Sequence, residues 1–142
     1  MCVYHNHISS VRCGILPKMR IFGVQDNQIE QLDVTGMPSC QGIDAGMNRL
    51  KELDVSENSE LVELYINDND FTEIDLSRNP KLKYFYCHNN HITELDTRTN
   101  PLLRHLNATE NPMKSIRSLA PQREEKLPLE LYADDGGCIG IE

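Results

Sequence analysis

The chain has 142 residues, with 22 acidic side chains against 14 basic ones and a net charge of −8. This balance disfavours binding to nucleic acids or to anionic membranes, since both partners need a basic surface. Hydrophobic residues make up 39% and aromatic residues 6%, which is sparse for a compact core but too much for a disordered chain. No apolar run approaches the roughly 18 residues of a membrane-spanning helix, and the five cysteines include no CxxC pair, so neither membrane insertion nor a zinc module is indicated.

An asparagine recurs every 21 residues through most of the chain. The members of this series are Asn6, Asn27, Asn48, Asn69, Asn90 and Asn111. In the same frame the apolar residues fall into columns, and pairs such as Leu64 and Ile66 occupy alternate positions, which places them on one face of a short strand. A single strand of this kind cannot bury its apolar face alone. The repeat therefore predicts a solenoid in which successive units stack into a parallel sheet.

Each unit contains the same spacing twice. The first half shows it at Leu61, Leu64, Ile66 and Asn69, and the second half at Phe71, Ile74, Leu76 and Asn79. This pattern resembles the leucine-rich repeat, LxxLxLxxNxL, and is similar to the bacterial 21-residue nested class of internalin-J-like surface proteins. The resemblance implies a right-handed superhelix with a parallel β-sheet, short extended or 3₁₀ return segments and little α-helix. The chain departs from the pattern at residues 36–38, Gly-Met-Pro, which replace the second asparagine turn, and at Met19 and Cys40, which replace the lead leucine.

In chain order the frame divides the sequence into three parts. Residues 1–18 form a partial N-terminal repeat without a cap, residues 19–118 form the repeats, and residues 119–142 form a C-terminal connector and capping strand. The repeats span residues 19–39, 40–60, 61–81, 82–102 and, in part, 103–118. The capping strand is predicted from the alternation of Leu127, Leu129 and Leu131. Because an uncapped solenoid end exposes apolar surface and a strand edge, we expect self-association through the N-terminal edge or membership of a longer array.

The asparagines and a column of acidic residues both have structural interpretations. An inward turn removes backbone groups from water, and a stacked asparagine amide can donate to them and accept from them. The acidic column consists of Asp33, Asp54, Asp75 and Asp96. We interpret it as a solvated polar face, because calcium needs about six to eight converging oxygens. His88 and His105 lack a third ligand, so the sequence predicts no metal site and no cofactor.

The outward positions in the first half of each repeat carry the candidate binding site. We predict that a protein partner binds a surface made of Asp44, Tyr65, Tyr84, Tyr86, His88 and His105. Clustered exposed tyrosines favour protein interfaces, because they give a large contact area at low entropic cost. The alternative is that rings in neighbouring strands stack only to stabilise the sheet.

The function predicted from these features is a non-catalytic protein–protein interaction module that presents an exposed sheet face. The alternative is a structural spacer, or a fragment of a longer surface-protein array. The sequence offers no paired carboxylates, nucleophilic constellation, phosphate loop or metal cluster, so we predict that it is not an enzyme. The resemblance suggests a bacterial cell-surface or secreted location, although the first 20 residues lack the pattern of a signal peptide. The compartment, the partner and the oligomeric state stay open.

Overall fold

The computed structural model describes residues 1–118 and the strand at residues 130–132. Over this part the chain winds into a solenoid of about five turns, and no helix occurs among the described residues. The strands are β1 (Ser10–Val11), β2 (Ile21–Gly23), β3 (Gln31–Leu32), β4 (Gly42–Asp44), β5 (Glu63–Tyr65), β6 (Tyr84–Tyr86), β7 (Glu94–Asp96), β8 (His105–Asn107), β9 (Ser115–Arg117) and β10 (Glu130–Tyr132). The predicted repeat solenoid with a parallel sheet is confirmed.

The first halves of the repeats form one parallel sheet of six strands, in the order β10-β8-β6-β5-β4-β2. Within the repeats the register advances by 21 residues, so that Leu64 lies between Ile43 and Phe85. Each of these inward side chains is fully buried, whereas the residues on either side of it point outward. Residues 21 positions apart in the sequence are therefore paired in neighbouring strands of the sheet.

The second halves of the repeats are less regular. Here β1 pairs with β3 and β7 pairs with β9, each in a sheet of two strands. The equivalent segments of the two repeats in between are not in strands. Their inward residues still join the core, since Phe71 and Leu76 are buried. This side of the two middle repeats is therefore held in line by core packing and by asparagine side chains, without strand pairing.

The last strand, β10, adds to the sheet beside β8, with Leu131 in register with Leu106. It falls within the segment predicted to end in a capping strand. Leu127 and Leu129, the other two residues of that prediction, lie outside the described residues.

The repeating asparagines form a ladder that ties neighbouring turns together. The Nδ2 of Asn69 donates to the carbonyls of Ala45, Ile66 and Asn67 at 3.0, 3.2 and 3.1 Å, while its Oδ1 accepts from the N–H of Leu50 at 2.9 Å. Equivalent sets are made by Asn27, Asn48, Asn90 and Asn111. Each amide thus satisfies its own turn and the turn before it.

Asn6 occupies the same column but a different environment. It lies in the first turn, is exposed, and its Nδ2 donates to the carbonyl of Tyr4 at 2.5 Å. It does not reach a preceding turn.

A second asparagine ladder runs through the other half of the repeats. Asn79 is fully buried, and its Nδ2 donates to the carbonyls of Val55 and Asn58 at 2.9 and 3.1 Å. Asn58 and Asn100 make equivalent bonds. Buried Met37 takes this position in the 19–39 repeat, so the ladder begins one repeat later than the first.

The residue before each asparagine of the first ladder adopts a left-handed backbone. The φ angles at these positions lie between 52° and 55°. The residues are His5, Asp26, Met47, Asp68, Asn89 and Glu110. None is glycine, although the left-handed conformation costs other residues roughly 1–2 kcal/mol. Asparagine and aspartate tolerate this conformation best, so the backbone strain is larger at residues such as Met47 and Glu110.

We predict that Asn69→Ala lowers the free energy of unfolding by about 3 kcal/mol, because it leaves buried carbonyls and one N–H without a partner. Urea unfolding measures the change. Asn6→Ala is the matched control from the same column, and it should change stability by less than about 0.5 kcal/mol. Equal losses in the two variants would show that the ladder is not what stabilises the stack.

We also predict that Met47→Gly raises the free energy of unfolding by roughly 0.5–1 kcal/mol, since relief of the left-handed strain exceeds the added entropy of the unfolded chain. Met47 is 44% exposed, so little packing is lost. Arg49→Gly serves as the control, because Arg49 is exposed in the same turn and has no positive φ. It should be destabilising by about 0.5–1 kcal/mol, and the same sign for both variants would contradict the argument.

Candidate functional site

The outward face of the six-stranded sheet is made of three columns, which run through Glu63, Tyr65 and Asn67 at steps of 21 residues. Between residues 2 and 109 these columns contain no Lys or Arg, and their only acidic members are Asp44 and Glu63. The face is therefore mostly neutral, in contrast to the strongly acidic chain as a whole.

Aromatic rings stack in two pairs on this face. The rings of Tyr65 and Tyr86 are 5.0 Å apart with their planes 10° from parallel, and those of Tyr84 and His105 are 5.0 Å apart at 7°. This spacing is close to the ~4.8 Å between neighbouring strands, so rings in the same column of adjacent repeats stack without distortion. Such a pair contributes about 0.5–1.5 kcal/mol beyond its buried area. Four of the predicted site residues are thus brought together.

His88 lies at the edge of this group, where it faces the turn. Its Nε2 is 3.8 Å from the Oδ2 of Asp68, and its buried Nδ1 has no partner in the described part of the chain. Burial opposes ionisation of Asp68, but hydrogen bonds from Asn89 and Asn67, at 2.7 and 2.6 Å, outweigh it and lower the pKa of that carboxyl. These hydrogen bonds hold the Asp68 carboxylate in the turn beside His88. We call Tyr65, Tyr84, Tyr86, His88 and His105 the aromatic patch.

Asp44, the remaining predicted site residue, lies beside the patch. It is in register with Gly23 on one side and Tyr65 on the other. The carboxylate is half-buried, and its Oδ1 accepts a long hydrogen bond of 3.3 Å from the N–H of Gly46. Burial raises the pKa of Asp44.

Tyr4 belongs to this face, and the sequence analysis missed it. Its ring lies over Gly23, where a Cβ would be 2.8 Å from the Tyr4 Cε1 atom. A hydrogen bond with Cys2 contributes most to the raised pKa of Tyr4, and the charge of Asp44 contributes less. The 21-residue spacing could have placed Tyr4 on this face, because Tyr4 lies four steps of 21 residues before His88 and therefore in the same column.

The second-half face carries an open groove of about 1200 Å³, lined by side chains from four successive turns. Three members of the acidic column, Asp33, Asp54 and Asp75, line the groove, and each carboxylate of the column also closes its own turn. The Oδ1 atoms of Asp33, Asp54, Asp75 and Asp96 accept from the N–H two residues later at 3.0, 2.9, 2.8 and 3.1 Å. Hydrogen bonds from Arg98 lower the pKa of Asp96 to about 2. The Nη2 of Arg98 is 2.6 Å from the Oδ2 of Asp96. These acids are turn-closing residues rather than free ligands.

Two cysteines of the described residues, Cys40 and Cys87, are buried. Burial raises the pKa of Cys87 to about 12, which keeps the thiol protonated and unreactive. No group of three or more His, Cys, Asp or Glu side chains placed to hold a metal ion occurs in residues 1–118 or 130–132.

The comparisons agree with the repeat and the fold. Residues 59–100 match the family model described as Leucine Rich repeats (2 copies). The described chain folds as a leucine-rich repeat solenoid. The predicted resemblance to the internalin-like class is confirmed. No curated protein resembles the chain closely enough to count as a match.

Similar solved structures include two internalins of Listeria monocytogenes. The functional domain of InlJ is 26% identical, with a TM-score of 0.66 over 72% of this chain and 25% of that one. Internalin InlF is 22% identical, with a TM-score of 0.59 over 68% of this chain and 28% of that one. The InlJ domain includes a cysteine ladder. Within residues 1–118 Cys87 is the only cysteine of its column, which otherwise holds Val3, Val24, Ala45, Ile66 and Ala108.

A third similar structure is the complex of LRIM1 and APL1C, at 20% identity and a TM-score of 0.65 over 80% of this chain and 25% of that one. At such identity the likeness concerns the fold. The chain spans only about a quarter of the length of these relatives. Its described residues contain no helix long and apolar enough to cross a membrane.

Proposed function

We propose that this chain is a non-catalytic protein-binding module, and that the aromatic patch with Asp44 is where it binds. Leucine-rich repeats typically mediate protein–protein interaction, and one of the similar structures is a complex. The observation that carries the proposal is the pair of ring stacks on an outward sheet face without Lys or Arg.

The shape of the patch supports this role. Stacked rings stand on the sheet, so the partner meets ring edges and the phenol hydroxyls of Tyr65, Tyr84 and Tyr86. Tyrosine and histidine at such positions combine apolar area with a polar end, and they lose little side-chain entropy because stacking already orders them. Ring stacking that only stabilises the sheet accounts for the geometry as well, so variants must separate the two roles.

We expect Tyr86→Ala combined with His88→Ala to abolish capture of the partner, because the change removes the middle of the patch. The measurement is quantitative proteomics of proteins retained by the immobilised chain, with the retained protein then purified and its affinity determined for each variant. Circular dichroism and urea unfolding check that the variant folds.

The matched control is Glu52→Ala with Glu73→Ala, two exposed residues that line the groove on the second-half face. It should bind as the unmodified chain does. Unchanged binding by the patch variant, or equal losses in both variants, would overturn the assignment of the patch and favour the spacer alternative.

We also infer that the first turn contacts a second copy of the chain. Met1, Ile15 and Ile21 are 56%, 83% and 63% exposed, and they surround an open hollow of about 560 Å³ together with Leu16 and Met19. Apolar side chains clustered in this way are stabilised when they are removed from water.

We expect the mass from sedimentation to rise above 16.2 kDa with concentration for the unmodified chain, but not for Ile15→Asp with Ile21→Asp. Leu102→Asp, at a site 45% exposed elsewhere on the solenoid, should associate like the unmodified chain. A monomer at every concentration would contradict the self-association.

A further inference from the structure

Asp44 is a half-buried carboxylate without a countercharge. It forms no ion pair with any side chain in residues 1–118, and its one hydrogen bond, from the Gly46 N–H, is long at 3.3 Å. The acids of the second-half face differ, since each has a shorter bond within its own turn. Partial removal of a carboxylate from water is unfavourable when only one long hydrogen bond compensates it, so stability alone does not explain this position.

Two tyrosine rings flank Asp44 along the direction of stacking. Tyr65 is its register partner on one side. On the other side is Gly23, with the ring of Tyr4 directly over it. Both Gly23 and Tyr65 are about one strand spacing, ~5 Å, from Asp44. The carboxylate thus lies between two tyrosine side chains along the direction in which the strands stack.

Glycines keep this gap open. On the Asp44 strand the neighbouring outward residues are Gly42 and Gly46. A Cβ at Gly42 would meet only the Ile21 Cγ1, at 4.0 Å, whereas one at Gly46 would be 2.9 Å from the Asn67 Oδ1. A ligand can therefore approach Asp44 over Gly42. The register partner of Gly42 is Glu63, which brings a second carboxylate to the same side.

We propose that Asp44 and Glu63, with Tyr4 and Tyr65, form a site for a cationic side chain, a lysine ammonium or an arginine guanidinium, of a partner protein. Carboxylates form strong charge-assisted hydrogen bonds with these groups, and the faces of tyrosine rings attract them. No basic residue of the outward columns competes for the site. Calcium is a poor alternative, because it needs about six to eight oxygens and two carboxylates supply at most four.

This inference rests on the proposed function, because the site borders the aromatic patch on the face assigned to the partner. It specifies the partner's chemistry: a basic residue placed beside an apolar or aromatic surface. The patch supplies contact area, and Asp44 selects for charge.

The test is an NMR titration of the chain with N-acetyl-arginine amide and with N-acetyl-lysine amide. We expect saturable shifts of the Gly42 and Gly46 amides, but not of Gly14 on the second-half face, with at least one of the two cations. N-acetyl-citrulline amide, the neutral analogue, should bind at least about tenfold more weakly. Absence of saturable shifts with both cations, or equal binding of citrulline, would overturn the proposal.

Variants locate the binding. Asp44→Asn should weaken it by about tenfold or more, and Tyr65→Leu by a smaller factor, since it removes one ring face. Asp54→Asn, on the second-half face, is the matched control and should leave the affinity unchanged. Unperturbed amide signals from the distant repeats verify that Asp44→Asn folds, and affinity equal to that of the unmodified chain would place the cation elsewhere.

The outcome is separable from that of the proposed function, because the probes are small molecules and need no partner. Loss of partner capture in the patch variant together with failure of both cations would remove the Asp44 site alone. Cation binding together with unchanged capture by the patch variant would remove the patch instead.

Discussion

The structure depends on how backbone groups at each inward turn are hydrogen-bonded. A solenoid this narrow turns its chain into the core twice per repeat, where no water can reach the peptide groups. A side chain that hydrogen-bonds to these groups is needed, and asparagine is short enough to supply a donor at both turns, and also an acceptor at the turns of the first ladder, without filling the core. Asn69 is an example, since its one amide forms hydrogen bonds with backbone groups of two neighbouring turns. Any slip in the 21-residue spacing would break these bonds, so the ladder fixes the register of everything else.

Register in turn converts sequence columns into surface neighbours. Residues 21 positions apart come to lie one strand spacing apart, as Tyr65 and Tyr86 do. Inward columns are constrained by packing, and ladder columns by hydrogen bonding. Outward columns are constrained by neither, so their residues can change without loss of the fold. The aromatic patch and the Asp44 site both lie in such free columns, which is where binding is expected to be encoded.

The fold was predictable because its determinants are local and periodic. Asparagine spacing and apolar alternation were sufficient for the solenoid and its main sheet. Features that depend on exact backbone angles were not predicted: the left-handed position at Met47 shows no glycine signal, and the turn-closing role of Asp54 needs its distance to Ser56. The contact of Tyr4 with Gly23 was not predicted for another reason. Tyr4 lies in the column of Asn67, beside the column of Asp44, and its ring fits over Gly23 only because that residue has no side chain.

Two aspartates about half a repeat apart illustrate why residue type alone cannot assign a role. Asp33 and Asp44 both point outward from the core. Asp33 accepts hydrogen bonds from the Thr35 hydroxyl and N–H, at 2.7 and 3.0 Å, and these bonds lower the pKa of Asp33. The carboxylate of Asp33 is therefore already stabilised by its own turn. The N–H two residues after Asp44, that of Gly46, makes only a long hydrogen bond of 3.3 Å to the carboxylate, and burial raises the pKa of Asp44. A carboxylate that the fold leaves unsatisfied gains more from a bound cation than one that is already paired. The difference lies in the backbone around each residue, and it supports the proposal that Asp44, rather than the more numerous acids of the second-half face, is the charge that binds the partner.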